Sequence, residues 1–157
     1  MSSSDVSSST VIEAPPARVF AILADPRQHQ RIDGSGTLRG SVEGPERLTL
    51  GSTFGMRMKQ GAPYKTTNTV VEFEQDRVIA WKHFSPHRWR YELEPVAGGT
   101  RVTETWDLTE VPAPVRIGLR LAGFPKRTRR GIDATLVKLA HAAEADEKNA
   151  SAQDRRA

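Results

Sequence analysis

Three side chains with acid/base capacity fall on consecutive strand-like runs of this chain: Glu104 in the run Gly99–Leu108, Tyr91 in the run before it, and His83 in the run before that. Pairing the last two runs as a hairpin with Leu93 opposite Val102 puts Tyr91 opposite Glu104 and Trp89 opposite Trp106. Direct cross-strand neighbours lie about 5 Å apart at Cβ, so a Tyr91 hydroxyl can donate to a Glu104 carboxylate. Such a pair can transfer protons to a bound molecule, and burial raises the carboxyl pKa toward the useful range. The same hydrogen bond also satisfies both groups with no catalysis. His83, expected in a row with Trp89 and Trp106, is either a general acid or base for an enolisable or dehydratable ligand, or a hydrogen-bonded histidine at the edge of a pocket. These three are the candidate catalytic residues.

Other chemistries find little support. The 157 residues include no cysteine, which removes disulfides and thiolate catalysis. His29, His83, His87 and His141 have no metal-ligand spacing, so no metal is expected. Gly34-Ser-Gly36 opens a strand rather than a helix, there is no G-x-S-x-G, and no cofactor is expected. The net charge of +4, from 23 basic and 19 acidic residues, fits a solvated surface and gives no reason to expect nucleic acid as a partner. No apolar run approaches the ~18 residues of a spanning helix, and Met1 to Thr10 is serine-rich, so the expectation is a soluble, cytoplasmic protein. The sequence leaves the oligomeric state open.

The elements that must position these groups follow from periodicity. Ser7 to Ala14 reads as a first strand, and Pro15 and Pro16 then open a short helix with Val19, Phe20, Ile22 and Leu23 on its apolar face. A further helical turn is expected over Pro26 to Arg31. From Thr37 to Leu108, short β-like runs are separated by turn signals with no helix between them, which argues for an antiparallel meander. The register chosen to keep large apolar residues on one face places Phe73, Ile79, Leu93 and Val102 in one row, and Val71, Trp81, Tyr91 and Glu104 in the next. The third row holds Phe54, Thr69, His83, Trp89 and Trp106, with Met56 opposite Thr67 and a three-residue loop at Ser85-Pro86-His87. Asn68 then faces outward with Arg57, Lys59, Glu72, Arg88, Arg90 and Arg101. An inner face that mixes Trp, Tyr, His, Thr and Glu suits a ligand cavity better than a close-packed core. The candidate ligand-binding set is Phe54, Met56, Met58, Thr67, Thr69, Val71, Trp81, His83, Trp89, Tyr91, Glu104, Trp106, Ile132 and Leu136.

Beyond Leu108, Val115 to Phe124 is a short helical candidate with an Arg116/Arg120 stripe. The main helix runs from about Lys126 to Glu144, with Ile132, Leu136, Leu139, Ala140 and Ala143 on one face. Lys126, Arg127, Arg129 and Arg130 oppose the helix dipole at its start, so they and the arginine stripe are a candidate contact with an anionic membrane surface. Residues 1–9 are expected to be a flexible segment that can include the start of the first strand, 10–147 a single domain, and 148–157 a disordered tail.

The segments Ile12-Glu-Ala-Pro-Pro-Ala-Arg-Val-Phe20, Leu23-Ala-Asp-Pro26, Val71-Glu-Phe-Glu74, Trp81, Arg90-Tyr-Glu-Leu-Glu-Pro95 and Gly98-Gly-Thr-Arg-Val-Thr-Glu104 resemble the SRPBCC superfamily. The likeness is strongest to its polyketide cyclase/dehydrase-like members, which share a fold with START lipid-transfer domains. It implies an α+β helix-grip fold: a curved antiparallel sheet of about seven strands around a long C-terminal helix, with two short helices after the first strand. It also implies a hydrophobic small molecule, aromatic, polyketide-like or lipid-like, held between sheet and helix. The alternatives are a cyclase, aromatase or dehydratase acting by metal-free acid/base chemistry, and a stress-response or interaction module with a regulatory pocket. Members often carry a tryptophan after the Asp-Pro, where this chain has Arg31-Ile-Asp33.

Overall fold

The computed structural model describes residues 5–39 and 42–156, with Gln60 described by its backbone alone. Six strands form one antiparallel sheet: β1 (Val6–Ile12), β2 (Thr53–Gln60), β3 (Ala62–Glu74), β4 (Val78–Lys82), β5 (Arg88–Val96) and β6 (Gly99–Asp107). Their order across the sheet is β1-β6-β5-β4-β3-β2. Four helices accompany them: α1 (Pro16–Leu23), α2 (His29–Ile32), α3 (Ala113–Leu121) and α4 (Phe124–Asp154). The architecture is the expected helix grip, with α4 packed against β1, β6, α1 and α2.

The sheet has six strands rather than about seven. Beyond these strands, Leu38 and Glu43 meet β2 as isolated bridges, Leu38 to Met58 and Glu43 to Gly55. The helices obey their sequence signals more closely. Pro16 sits in the first turn of α1, and the residues α1 buries are Val19, Phe20, Ile22 and Leu23. Gly123, at φ 76°, makes the left-handed break between α3 and α4.

The two ends of the chain compare differently with expectation. β1 begins at Val6, one residue before the expected first strand, and its serines find partners on β6: Ser7 with Thr105 at 2.9 Å and Ser9 with Thr103 at 2.7 Å. α4 continues to Asp154, through most of the expected tail. The continuation over residues 145–154 holds three alanines and no proline or glycine, and salt bridges from Arg18 to Glu147 (3.1 Å) and Arg31 to Asp146 (2.9 Å) tie its first turn to α1 and α2.

Register decides which residues face α4. The β5–β6 pairing is as expected, with Leu93 opposite Val102, Tyr91 opposite Glu104 and Trp89 opposite Trp106. The β4–β5 pairing is displaced by two residues, because the loop spans five residues, 83–87, rather than three. Trp81 therefore faces Trp89, and Ile79 faces Tyr91. A two-residue shift keeps every side chain on its face. On β3 the consequence is larger. Phe73 pairs with Ile79 as expected, but the ladder slips between Val70 and Glu72, so Val70 rather than Val71 faces Trp81. This bulge turns the preceding residues over: Thr66, Asn68 and Val70 are buried, whereas Thr67 is exposed and Thr69 and Val71 are half-buried. Thr67, Thr69 and Val71 therefore lie off the inner face, and Asn68, expected outside, points in.

Candidate functional site

The concave face presents an aromatic chain that ends at a carboxyl group. Trp81 and Tyr91 lie 5.3 Å apart between ring centroids, and Phe54 meets Trp81 edge-on at 5.6 Å. His29, on α2, stacks on Trp81 at 4.9 Å and meets Phe54 edge-on at 5.2 Å. The Tyr91 hydroxyl donates to Glu104 Oε1 at 2.8 Å. Glu104 is 3% exposed, and its second oxygen, Oε2, has no hydrogen-bond partner among the described residues.

Local sequence explains how each group arrives there. Strand alternation places Tyr91 with Leu93, and Glu104 with Val102 and Trp106, on the inner side. His29 is carried by the short turn after Asp25, whose side chain caps it by accepting from Arg27 N at 3.0 Å. The imidazole Nε2 donates to the Leu23 carbonyl at 2.9 Å, which leaves Nδ1 as an unpartnered acceptor in the neutral ring. The loop after α2 is pressed onto α4. A Cβ at Gly34 would run into the backbone of Gly131, Ala134 and Thr135, and Gly34 N donates to Thr135 Oγ1 at 3.1 Å. This close approach brings Asp33 near Glu104.

The electrostatics follow from burial. Removal from water raises the Glu104 carboxyl to a pKa of about 8, opposed by the Tyr91 hydrogen bond and assisted by the charges of Asp33 and Asp133. Burial and the Glu104 charge push the Tyr91 hydroxyl well above its usual range. His29 is pushed down by burial and stays neutral near pH 7. The site at neutral pH therefore holds a protonated carboxyl, a neutral imidazole and an undissociated phenol. A third unpartnered polar atom, Asn68 Nδ2, lies on the same face of the sheet, with Asn68 paired to Phe54.

The other expected site residues are placed as follows. Ile132 and Leu136 of α4 are buried, as are Phe54, Trp81 and Trp106, whereas Met56, Met58 and Trp89 are half-buried against the core. Thr66 Oγ1 donates to Met58 Sδ at 3.8 Å. His83 does not join Glu104 and Tyr91. It follows the end of β4, four residues beyond Ile79 and so about 13 Å along the strand from the Tyr91 row. There it meets His87 edge-on at 4.8 Å, and His87 in turn lies 5.6 Å from Trp106. Burial lowers both imidazoles, His87 to about 4. His29 and Asn68 lie outside the set expected from sequence. The i, i+3 spacing of His29 and Ile32 on one face of a short turn was the available sign for the first, and the Val70-Val71 doublet interrupting strict alternation was the sign for the second.

Two open surface clefts lie elsewhere. One, of about 750 Å³, is on the convex face among Arg77, Arg88, Arg90, Arg101 and Asp107. Its charges are paired with one another: Arg88 with Asp107 at 2.6 Å, Arg90 with Glu72 at 2.9 Å and with Glu92 at 2.6 Å, and Arg101 with Glu94 at 2.7 Å. The other, of about 480 Å³, lies on the β2–β3 hairpin beside Met58 and Tyr64. Among the described residues no cluster of His, Asp and Glu is arranged to hold a metal ion, and no helix is long and apolar enough to cross a membrane.

Comparison with known proteins agrees with this architecture. The family model described as polyketide cyclase/dehydrase and lipid transport matches residues 3–144. An uncharacterized protein of Mycobacterium tuberculosis, Rv0088, is 44% identical over 139 residues, which are 85% of this chain and 62% of that protein. The chain thus spans less than two thirds of the length of that curated relative. Among solved structures, NE0264 of Nitrosomonas europaea superposes with a TM-score of 0.71 at 15% identity, covering 94% of this chain and 99% of that one. The polyketide_cyc-like protein Cgl2372 of Corynebacterium glutamicum gives 0.60 at 23% identity, covering 91% and 93%. These structural likenesses concern the fold.

Proposed function

The chain belongs to the polyketide cyclase/dehydrase and lipid transport family, and from that premise we propose that it holds an aromatic, polyketide-like or lipid-like molecule between the concave sheet face and α4. The observation that carries this is the Glu104 carboxyl, buried in an aromatic wall with one oxygen held by Tyr91 and the other without a partner. A polar atom left unpaired in a dry interior costs free energy, so its retention points to a partner that arrives from outside. With a pKa of about 8, Glu104 is an acid at neutral pH. Oε1 already accepts from Tyr91, so the proton sits on Oε2 and donates to a carbonyl or hydroxyl oxygen of the ligand. Asn68 Nδ2 supplies a second donor and His29 Nδ1 an acceptor. Apolar burial supplies the affinity, ~25 cal/mol per Å² before the costs of association, and the polar atoms orient the ligand.

Native mass spectrometry and organic extraction of the purified protein test this directly. The expected result is a bound apolar molecule, or uptake of one from a mixed panel of fatty acids, phospholipids and aromatic polyketides, weakened about tenfold in Glu104→Gln. A bare protein that takes up none of the panel overturns the proposal.

The carboxyl pKa of about 8 also favours a second reading, acid/base catalysis on an enolisable substrate of the cyclase or dehydratase type. Glu104 would then move the proton, with Tyr91 holding the carboxyl in place. Turnover of a bound substrate that Glu104→Gln abolishes while binding persists separates this reading from simple carriage.

A further inference from the structure

Unlike α1, α3 buries no residue. Ile117 and Leu121, one helical turn apart, form an exposed ridge at 59% and 84% exposure, and Val115 is 51% exposed. Arg116 and Arg120 run as a parallel stripe beside that ridge, with the same i, i+4 spacing. After the Gly123 break, Phe124 continues the exposed apolar surface. The first turns of α4 then add Lys126 and Arg130, and no acidic residue occurs from Val111 to Ile132. Arg116, Arg120, Lys126 and Arg130 have no carboxylate partner among the described residues, in contrast to the paired arginines of the convex face.

The position of this surface is as informative as its composition. α3 follows the end of β6, and Lys82 at the end of β4 reaches Glu110 at 4.0 Å, so the β4–β5 loop lies at the same end of the sheet. That loop carries Phe84, the most exposed large hydrophobic residue of the described chain at 85%. The apolar ridge, the unpaired cations and Phe84 therefore share the end of the sheet beside Trp106 and His87.

We propose that α3 and the start of α4 dock this protein onto an anionic lipid bilayer, with Ile117, Leu121 and Phe84 entering the interface and Arg116, Arg120, Lys126 and Arg130 meeting headgroup phosphates. A bilayer is the occupant that matches both features at once. An apolar ridge beside a cationic stripe on one helix is the arrangement that lies in an interface plane, where apolar insertion and charge attraction add. The cations that elsewhere would oppose the α4 dipole at some cost are then placed by the surface they meet. The docking stands apart from what the concave face binds, because none of these residues belongs to that face.

Co-sedimentation with vesicles containing about one third phosphatidylglycerol in phosphatidylcholine tests the proposal. The full chain is expected to bind them at least ~10-fold more tightly than pure phosphatidylcholine vesicles, and to lose most of that binding in about 0.5 M salt. The pair Ile117→Glu/Leu121→Glu and the pair Arg116→Glu/Arg120→Glu should each weaken binding by ~10-fold or more, with thermal melting unchanged because these side chains are not core. Arg77→Glu/Arg101→Glu, an equal charge change at the opposite end of the sheet, should leave it intact. Equal loss in that control pair, or no difference between the two vesicle types, overturns the proposal. Sedimentation of the free chain as a dimer that Leu121→Glu dissociates also overturns it, because the ridge would then serve a second copy. Vesicle binding that persists in Glu104→Gln keeps this result separate from the fate of the cavity proposal.

Discussion

The two faces of one sheet are built by the same strands and handle polarity in opposite ways. On the convex side, Arg88, Arg90 and Arg101 alternate with inward residues and each meets a carboxylate of the sheet, Arg90 at 2.6 Å from Glu92 on its own strand and, across β4, at 2.9 Å from Glu72. On the concave side, a single residue away along the chain, Tyr91 and Glu104 share one hydrogen bond and leave an oxygen unmatched. A polar group that finds its partner in the fold needs nothing more. One that is buried and lacks a partner marks where the fold is incomplete by itself. The comparison also shows why the 750 Å³ convex cleft is the poorer candidate: it is open, but its charges are already neutralised by neighbours.

Truncation on the two faces should separate them most widely. Trp81→Ala, which removes a buried ring touching His29, Phe54 and Tyr91, is expected to cost about 3–5 kcal/mol in chemical denaturation. Arg90→Ala on the convex face, despite its ion pairs, should cost about 1 kcal/mol or less, since partly exposed pairs are screened. Comparable losses would erase the distinction.

Stability against pH sharpens the same contrast. The Glu104 pKa is raised from 4.5 to about 8 on folding, so the native state holds a proton that the unfolded chain has released. The native state is therefore favoured at low pH and loses up to about 1.4 kcal/mol per pH unit as pH rises from 4.5 toward 8. Glu104→Gln should remove that slope. His29 acts in the opposite sense: its depressed pKa makes the fold lose stability as pH falls below the ordinary imidazole value of 6.5. The Glu104 slope is accordingly cleanest between about pH 6.5 and 8. Urea denaturation of wild type and Glu104→Gln across this range checks it, and parallel curves would remove the raised carboxyl from the account.

A smaller effect is expected at Asn68. Its buried Nδ2 lacks a partner, so Asn68→Leu should leave the free protein as stable or more stable by about 1 kcal/mol while weakening ligand uptake. On the other side of the strand, Thr67→Val should change both by less than about 0.5 kcal/mol. Thermal melting and panel binding on the two variants also test the bulge that sets them on opposite faces.

That bulge marks how far the sequence could be read. The β5–β6 register was legible because Ala97-Gly98-Gly99 makes a short turn and apolar alternation then leaves one pairing, which brought Tyr91 to Glu104. At β4–β5 the longer loop moved the pairing by two residues, and the face survived. At β3 a shift of one residue between Val70 and Glu72 inverted it, exchanging Thr67, Thr69 and Val71 for Thr66, Asn68 and Val70. Alternation alone does not announce an extra residue in a strand whose outer side carries threonines that would be equally at home inside. His29 is harder to read for a different reason: its i, i+3 spacing with Ile32 marks a shared face, but what that face meets depends on where α2 lands against Phe54 and Trp81, a tertiary contact. The helical tail, by contrast, carries no proline or glycine that would stop a helix, but its polar residues show no apolar period, so it reads as solvent-exposed chain.

Glu104 is the proposed polar anchor of a ligand on the concave face. Its most direct test is the carboxyl carbon resonance of 13C-glutamate-labelled protein, assigned with Glu104→Gln and followed through pH before and after addition of an apolar molecule taken up from the panel. The account predicts a Glu104 titration near 8 in the free protein, displaced when the ligand accepts its proton, with the convex Glu72 and Glu94 resonances unmoved. A Glu104 signal that titrates as an ordinary carboxyl and ignores saturating ligand, while the convex carboxyls respond, would contradict it.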